Sequence, residues 1–264
     1  MIIIGERINS TRKAIARAIQ ERDTAFLQKE ALIQVEGEAD YIDVNAGTFI
    51  EKETEYLEWL VQTVQAATDK PLCIDSPNPQ ALVPALRAHK GKPIINSITA
   101  QRERYEAILK LLKEHECSVI ALCLDDSGIP KTTQGKVEIA SRLIEELTAE
   151  GVSLDEIYVD TLVEPIAVDP SSGIEVLNAI EQIMGKYPGI HTTCGLSNIS
   201  FGLPQRSLLN QSFLLMAMAK GLDTAILDPC DHRLMASITA ANALLCNDQY
   251  CKNYLNASRA GKLT

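Results

Sequence analysis

Polar side chains recur directly after short apolar runs of the sequence, and nearly all of them are carboxylates or carboxamides. They are Glu6, Asn9, Asp43, Asn45, Asp75, Asn96, Asp125, Asp126, Asp160, Ser197, Asn198 and Asp228. A carboxylate accepts two neighbouring N–H bonds, and a carboxamide donates and accepts at once. Such a set suits a flat polar heterocycle, and a pterin, a purine or a sugar would each fit.

Each of these side chains could instead cap a helix, because Asp and Asn at a helix start accept hydrogen bonds from free backbone amides. Three of them fit this alternative poorly. Asp75 ends LCID, Asp160 ends IYVD and Asn96 lies within IINS, so each directly continues an apolar run. Their positions favour side chains that point into a shared mouth.

Some common chemistries are not expected. A Schiff-base mechanism needs a lysine at a strand end, and none follows these runs. The histidines lie away from the strand ends, which argues against a metal hydrolase; they are His89, His115, His191 and His232. We expect no metal site, although magnesium held by carboxylates remains an alternative.

The elements that must position these residues alternate regularly. Eight short apolar runs are typical of strands, and they read MIII, YIDV, LCI, PIIN, SVIALCL, IYV, IHTTC and TAIL. Between them lie amphipathic stretches with the spacing of helices, which include 54–67, 102–114, 137–150, 173–184, 208–220 and 234–245. Such alternation predicts an α/β fold with a parallel sheet, and eight units in this length predict one (β/α)8 TIM barrel spanning 1–264. The active site of such a barrel lies at the carboxyl ends of its strands. A doubly wound sheet is the alternative, but the first run is followed by GERIN and not by a phosphate-binding glycine motif.

The amino-acid composition narrows the classes of partner that this protein is expected to bind. The 264 residues include 25 Lys and Arg against 35 Asp and Glu, a net charge of -10, and no basic patch offsets it. Nucleic-acid binding is therefore not expected. No apolar run approaches the roughly 18 residues that span a bilayer, so we expect no membrane segment and a cytoplasmic protein. The seven cysteines contain no C-x-x-C pair and are expected to be reduced and structural.

Several longer strings resemble the pterin-binding methyltransferase family over essentially the whole chain. They are MIIIGERIN, LCIDSPN, PIINSI, GIPK, IYVD and the segment from GLSNISFGLP to GLDTAI. The resemblance is strongest to the methyltetrahydrofolate:corrinoid/iron-sulfur protein methyltransferases and their relatives in corrinoid-dependent demethylase systems. The folate domain of cobalamin-dependent methionine synthase is more distantly similar.

This resemblance implies methyl transfer between 5-methyltetrahydrofolate and the cobalt of a corrinoid, with tetrahydrofolate as the bound substrate. It assigns pterin binding to Asp75, Asn96 and Asp160 and places Asn198 at the methyl-bearing nitrogen, so that Asn198 and Asp160 are the expected catalytic residues. Gly195 and Ser197 would line the same pocket. Arg206 corresponds to a loop arginine near the folate.

The resemblance also implies a homodimer and a corrinoid carried by a partner protein. The sequence agrees on the partner, since CDHRLM lacks the spacing and the glycine of a corrinoid-binding D-x-H-x-x-G loop. Phe201 stands where acetogenic members carry Gln, which favours transfer from methylcorrinoid to tetrahydrofolate in a demethylase system; the acetogenic direction is the alternative. Two remote alternatives are a non-catalytic folate-binding scaffold and a dihydropteroate synthase-like enzyme, but the latter's first-strand loop and strand-end lysine are missing.

Overall fold

A computed structural model describes residues 1–263 of the chain and shows eight parallel strands. They are β1 (Ile2–Asn9), β2 (Tyr41–Asn45), β3 (Leu72–Asp75), β4 (Ile94–Thr99), β5 (Ser118–Leu122), β6 (Ile157–Asp160), β7 (His191–Thr193) and β8 (Thr224–Leu227). The strands pair in sequence order from β1 to β7, and β1 also pairs with β8. All eight strands overlap the predicted apolar runs, and β1 continues to Asn9 across a register shift.

The ring closes between β7 and β8 through a short contact. The backbone N–H of Ile226 donates to the carbonyl of Cys194 at 2.9 Å, and Gly195 forms an isolated parallel bridge with Ile226. The predicted TIM barrel is therefore confirmed.

Ten α-helices lie within residues 1–263 and surround the barrel. They are α1 (Lys13–Glu21), α2 (Thr24–Glu36), α3 (Glu53–Gln65), α4 (Pro79–Ala88), α5 (Arg102–Glu114), α6 (Thr133–Ala149), α7 (Ser172–Lys186), α8 (Arg206–Ala219), α9 (His232–Leu244) and α10 (Lys252–Arg259). Asn78 and Asp231 cap α4 and α9, because their side chains accept backbone N–H bonds at the helix start. The six predicted helical stretches overlap α3 and α5 to α9.

Apolar side chains fill two separate regions. The outer region lies between strands and helices, and parallel strands covered in this way are apolar on both faces. The inner region occupies the barrel axis and contains Ile4, Cys73, Ile94, Ile120 and Tyr158. These inward residues fix the orientation of every second residue along their strands.

The seven cysteines are free thiols, but their environments differ from the prediction. Cys73, Cys117, Cys123 and Cys194 are buried and pack as small apolar residues. Cys246 and Cys251 are exposed in the segment between α9 and α10, so a packing role does not extend to them. No helix of residues 1–263 is long and apolar enough to cross a membrane.

Candidate active site

Strand alternation brings the predicted pterin-binding residues to the mouth of the barrel. Cys73 and Tyr158 lie in the axial core, so Asp75 and Asp160, two residues further along, share its face. Ile94 places Asn96 in the same way. Asp75 and Asn96 are direct partners in the β3–β4 register, while Asp160 lies on β6, two strands beyond β4. The structure therefore places all three at one end of the barrel, facing inward.

Asp75 is held by its neighbour on β2. Asn45 Nδ2 donates to Asp75 Oδ2 at 2.9 Å, and Ser10 Oγ donates to Asn45 Oδ1 at 2.8 Å. Burial raises the pKa of Asp75 to about 6, and the hydrogen bond from Asn45 opposes this shift. Asn45 is a member of the site that the sequence placed at a strand end without giving it a role.

Asp43 lies deeper than Asp75 on the inward face of β2. Its Oδ1 atom is buried and has no hydrogen-bond partner among residues 1–263. Burial raises the pKa of Asp43 well above its usual range, and the neighbouring charge of Asp75 raises it further. Hydrogen bonds with Cys73 and Asn96 oppose this shift. A ligand with polar atoms at the barrel axis would supply the partner that the Oδ1 atom lacks.

Asp160 is fixed by the loop that follows β6. Its Oδ1 accepts the backbone N–H of Leu162 at 2.7 Å, and Leu162 adopts the left-handed region with φ of 55°. Burial raises the pKa of Asp160 to about 6, while the Leu162 hydrogen bond and the charge of Lys136 oppose the shift. The carboxylate is thus oriented by backbone before any ligand binds.

The residues after β7 form a 3₁₀ turn, Leu196–Ser200, at the edge of the mouth. Gly195 precedes the turn, Ser197 Oγ donates to Glu6 Oε2 at 3.5 Å, and the exposed side chain of Asn198 has no hydrogen-bond partner within residues 1–263. Burial raises the pKa of Glu6, as does the charge of Asp228. An unpaired carboxamide therefore stands beside a group of carboxyls.

Arg206 lies at the start of α8 and folds back onto the turn. Its Nη2 donates to the carbonyl of Ser197 at 2.7 Å and its Nε to Ser200 Oγ at 3.1 Å. These contacts brace the backbone carbonyl before Asn198 and the side-chain hydroxyl of Ser200 after it. The predicted role of Arg206 near a folate stays a prediction.

Two cations that the sequence did not single out also shape the site. Arg104 donates to the carbonyls of Ser97 and Ser76, each at 3.0 Å, and to that of Pro77, which ties the loops after β3 and β4 together. Lys136 donates to two carbonyls after β6. Both lie in amphipathic helices, where a charged residue ordinarily indicates a solvent-facing position.

A cavity of about 990 Å³ opens beside Asp75, Asn96, Ser97 and Leu122. Among residues 1–263, no group of three or more His, Cys, Asp or Glu side chains is arranged to hold a metal ion. The polar groups of the mouth are carboxyls, carboxamides, hydroxyls, backbone amides and the guanidinium of Arg104. This donor set matches the edge of a polar heterocycle.

Similarity to known sequences extends over most of the chain. The family model described as pterin binding enzyme matches residues 5–228. A protein of Eubacterium limosum named methylcorrinoid:tetrahydrofolate methyltransferase is 39% identical over 100% of this chain and 98% of its own length. Methionine synthase of Mycobacterium tuberculosis is 32% identical over 86% of this chain, which matches only 20% of that enzyme.

Solved structures show the same fold at low identity. Dihydropteroate synthase of Xanthomonas albilineans with 4-aminobenzoic acid has a TM-score of 0.71 at 16% identity, covering 94% of this chain and 93% of that chain. The corresponding enzyme of Vibrio fischeri has a TM-score of 0.71 at 17% identity, with 92% and 93% covered. The match across residues 5–228 and the full-length relative show that the chain belongs to the family of pterin-binding enzymes.

Proposed function

We propose that this chain is a methyltransferase that moves a methyl group between 5-methyltetrahydrofolate and the cobalt of a corrinoid protein. The relative named methylcorrinoid:tetrahydrofolate methyltransferase supports this, as does the match to methionine synthase. The observation that carries the proposal is the unpaired carboxamide of Asn198 at the rim of an acidic barrel mouth.

The pterin ring would lie against Asp75, Asn96 and Asp160. Its adjacent N–H donors suit the two carboxylates, and a carboxamide can serve a donor and an acceptor together. The unpartnered Oδ1 of Asp43 beneath this edge adds a further polar contact. The pKa values of Asp75 and Asp160 are both about 6, so each carboxyl group in this position can gain or lose a proton when the protonation of the pterin ring changes.

Asn198 would act on the methyl-bearing nitrogen of the folate. A folate amine is a poor leaving group, so charge on that nitrogen must be stabilised in the transition state. The neutral amide of Asn198 donates a hydrogen bond without the cost of burying a charge. One such donor contributes about 3 to 4 kcal/mol.

We infer that the physiological direction is from methylcorrinoid to tetrahydrofolate, in agreement with the name of the Eubacterium limosum relative and with Phe201. The folate nitrogen attacks the methyl carbon, and the carbon–cobalt bond breaks with its electron pair remaining on cobalt. The nitrogen then releases its proton. The reverse reaction passes through the same transition state and needs the same donor.

The corrinoid partner would dock on the loops that surround the mouth. Large apolar side chains are strongly exposed there: Ile50 by 84%, Val168 by 74% and Phe201 by 64%. They belong to three different loops that follow β2, β6 and β7, all at the carboxyl end of the barrel. Such a rim offers apolar contacts to a partner whose cobalt must reach the folate nitrogen.

We also propose a homodimer that works in the cytoplasm. A second group of exposed apolar side chains lies on or beside α8 to α10, beyond the first turn of α8, and comprises Met216, Leu244, Tyr250 and Leu255. Its burial in a dimer would remove this apolar surface from water. The seven free thiols agree with a reducing compartment.

The decisive experiment mixes the anaerobic protein with methylcobalamin and tetrahydrofolate and follows the cobalt spectrum, then runs the reverse reaction. We expect Asn198→Ala to slow both directions about 10²-fold or more. Asn256→Ala, an exposed substitution of the same type on α10, is the matched control and should leave both rates unchanged. Equal rates in the two variants would contradict the role of Asn198, and no transfer even with a corrinoid protein would contradict the proposed function.

A further inference from the structure

Lys136 is buried beneath the active site, although it lies in the first turn of α6. Its exposure is 1%, and its Nζ donates to the carbonyl oxygens of Thr161 at 2.7 Å and Leu162 at 3.0 Å. Burial lowers the pKa of this lysine. A buried ammonium costs free energy, and a cation near a helix N-terminus is opposed by the helix dipole.

The contacts of Lys136 lead directly to Asp160. The peptide unit between Thr161 and Leu162 has its carbonyl bound by Lys136 Nζ and its N–H bound by Asp160 Oδ1 at 2.7 Å. Both ends of one peptide are thereby fixed, with Leu162 in the left-handed region at φ of 55°. The lysine and the carboxylate are therefore connected through a single polarised peptide group.

We propose that Lys136 is a positioning residue that holds the Thr161–Leu162 peptide so that its N–H fixes the orientation of the Asp160 carboxylate. The inference takes the pterin of the proposed function as the ligand of Asp160. The second carbonyl contact, to Leu162, holds the left-handed residue on its far side. Loss of the ammonium would release this peptide and let the carboxylate turn.

The charged and titratable groups around this arrangement come from several elements. Cys123 after β5, Asp160, Glu164 in the loop after β6 and Glu175 on α7 act on Lys136. Asp160 faces Lys136, Cys123 and Cys194. Lys136 is the cation of this set, so its removal acts on Asp160 both through the peptide and through lost charge.

The test compares Lys136→Met with Lys131→Met, which removes an exposed lysine from the loop before the same helix. Tetrahydrofolate binding is measured by anaerobic calorimetry over a range of pH. We expect Lys136→Met to weaken binding about tenfold near neutral pH and to move the acid limb of the binding profile upward by about one pH unit, because the Leu162 hydrogen bond and the charge of Lys136 both lower the pKa of Asp160. Lys131→Met should match the wild type, and an unmoved acid limb with unchanged affinity in Lys136→Met would overturn the proposal.

A measurement on the wild-type protein guards against a Lys136→Met variant that does not fold. The ¹⁵N shift of the Leu162 amide is followed from about pH 4.5 to about pH 8 and should titrate with a midpoint of about 6, the pKa of Asp160. In Asp160→Asn that transition should disappear, which separates it from the titration of Asp75. A Leu162 amide that does not respond to pH would overturn the proposal.

These readouts do not depend on methyl transfer. A wild-type protein that binds no tetrahydrofolate and moves no methyl group would remove the proposed function. The amplitude of the Leu162 titration in Lys136→Met and in the milder Lys136→Gln would still decide whether the lysine acts through the peptide, because a released peptide reduces the amplitude whereas loss of charge alone moves only the midpoint. Amplitudes equal to the wild type in both variants would refute it.

Discussion

The side-chain amide of Asn198 lies against the α carbon of Gly195, and a methyl group added at Gly195 would lie 3.0 Å from Asn198 Nδ2. Gly195 has φ of -72°, so the backbone itself would accept any residue. An added methyl group would therefore require the exposed Asn198 side chain to shift. The backbone at the end of β7 thus limits where the proposed hydrogen-bond donor can stand.

Gly195→Ala should therefore displace the Asn198 amide without unfolding the barrel. We expect methyl transfer to slow about tenfold, since moving a donor by a fraction of an ångström weakens a transition-state hydrogen bond. Stopped-flow cobalt spectra measure the rate. Gly185→Ala on α7, where no atom lies within 4 Å of the added methyl, is the control and should be as active as the wild type. Full activity in Gly195→Ala would show that the position of the amide is not critical.

Asp160→Asn should make the ligand-free protein more stable. Burial raises the pKa of Asp160 to about 6 from an ordinary value near 4, so the folded chain binds more protons than the unfolded chain between these values. Stability conferred by this group is present at low pH and is lost as pH rises through about 6. The neutral amide removes that loss, and we expect the free energy of unfolding near pH 7 to rise by about 2 kcal/mol.

Urea unfolding near pH 5 and near pH 8 checks this expectation. The difference between the two pH values should be smaller in Asp160→Asn than in the wild type, and Asp69→Asn, at an exposed position before β3, should keep the wild-type difference. Tetrahydrofolate binding should be lost in Asp160→Asn and kept in Asp69→Asn. An Asp160→Asn protein that is less stable at both pH values would contradict the assigned cost of burial.

Arg206→Met should slow methyl transfer while leaving folate affinity nearly unchanged. The guanidinium braces the carbonyl of Ser197 and the hydroxyl of Ser200, so its loss frees the turn that carries Asn198. We expect the rate constant to fall about tenfold and the tetrahydrofolate Kd to change by less than about twofold. Calorimetry and single-turnover rates separate the two effects. A large loss of affinity would instead indicate direct contact between Arg206 and the folate.

Phe201→Ser should weaken the reaction with a corrinoid protein more than the reaction with free methylcobalamin. Phe201 is 64% exposed on a mouth loop, where truncation removes apolar contact area and the contact of its ring with the Arg206 guanidinium, 5.8 Å from the ring centroid. We expect KM for the corrinoid protein to rise about tenfold, as for a central apolar contact of an interface. Leu32→Ser, at a 44% exposed position on α2 and outside both groups of exposed apolar side chains, is the control. Equal effects on both substrates would place Phe201 in the chemistry and not in docking.

The strands and their polar ends could be predicted from sequence because the pattern that identifies each of them lies within a few consecutive residues. Asp75, Asn96 and Asp160 follow apolar runs within a few residues, and the barrel geometry then brings their strand ends together. The pairing of Asn45 with Asp75 depends on the register between β2 and β3, which a single sequence does not reveal.

Lys136 could not be predicted for a related reason. Its neighbours Val137 and Ala140 indicate the buried face of a helix, and a lysine beside them ordinarily reaches solvent. Its partners are backbone carbonyls 25 and 26 residues later in the chain. Because every residue type has such a carbonyl, the sequence contains no sign of these contacts. Arg104 was missed in the same way, since its acceptors are also carbonyls.

The junction between β7 and β8, which we call the seam, is held by a short backbone contact. β7 contributes only three residues, and the carbonyl of Cys194 receives the N–H of Ile226 immediately before the turn that carries Asn198. Elsewhere, longer runs of ladder hydrogen bonds hold the strands together, so local opening costs least at this seam. The amide of Ile226 should exchange with solvent faster than the amides of β4 and β5, and a bound folate that spans the mouth should slow this exchange. A bound folate would then strengthen the β7–β8 junction, which the protein alone holds with few hydrogen bonds.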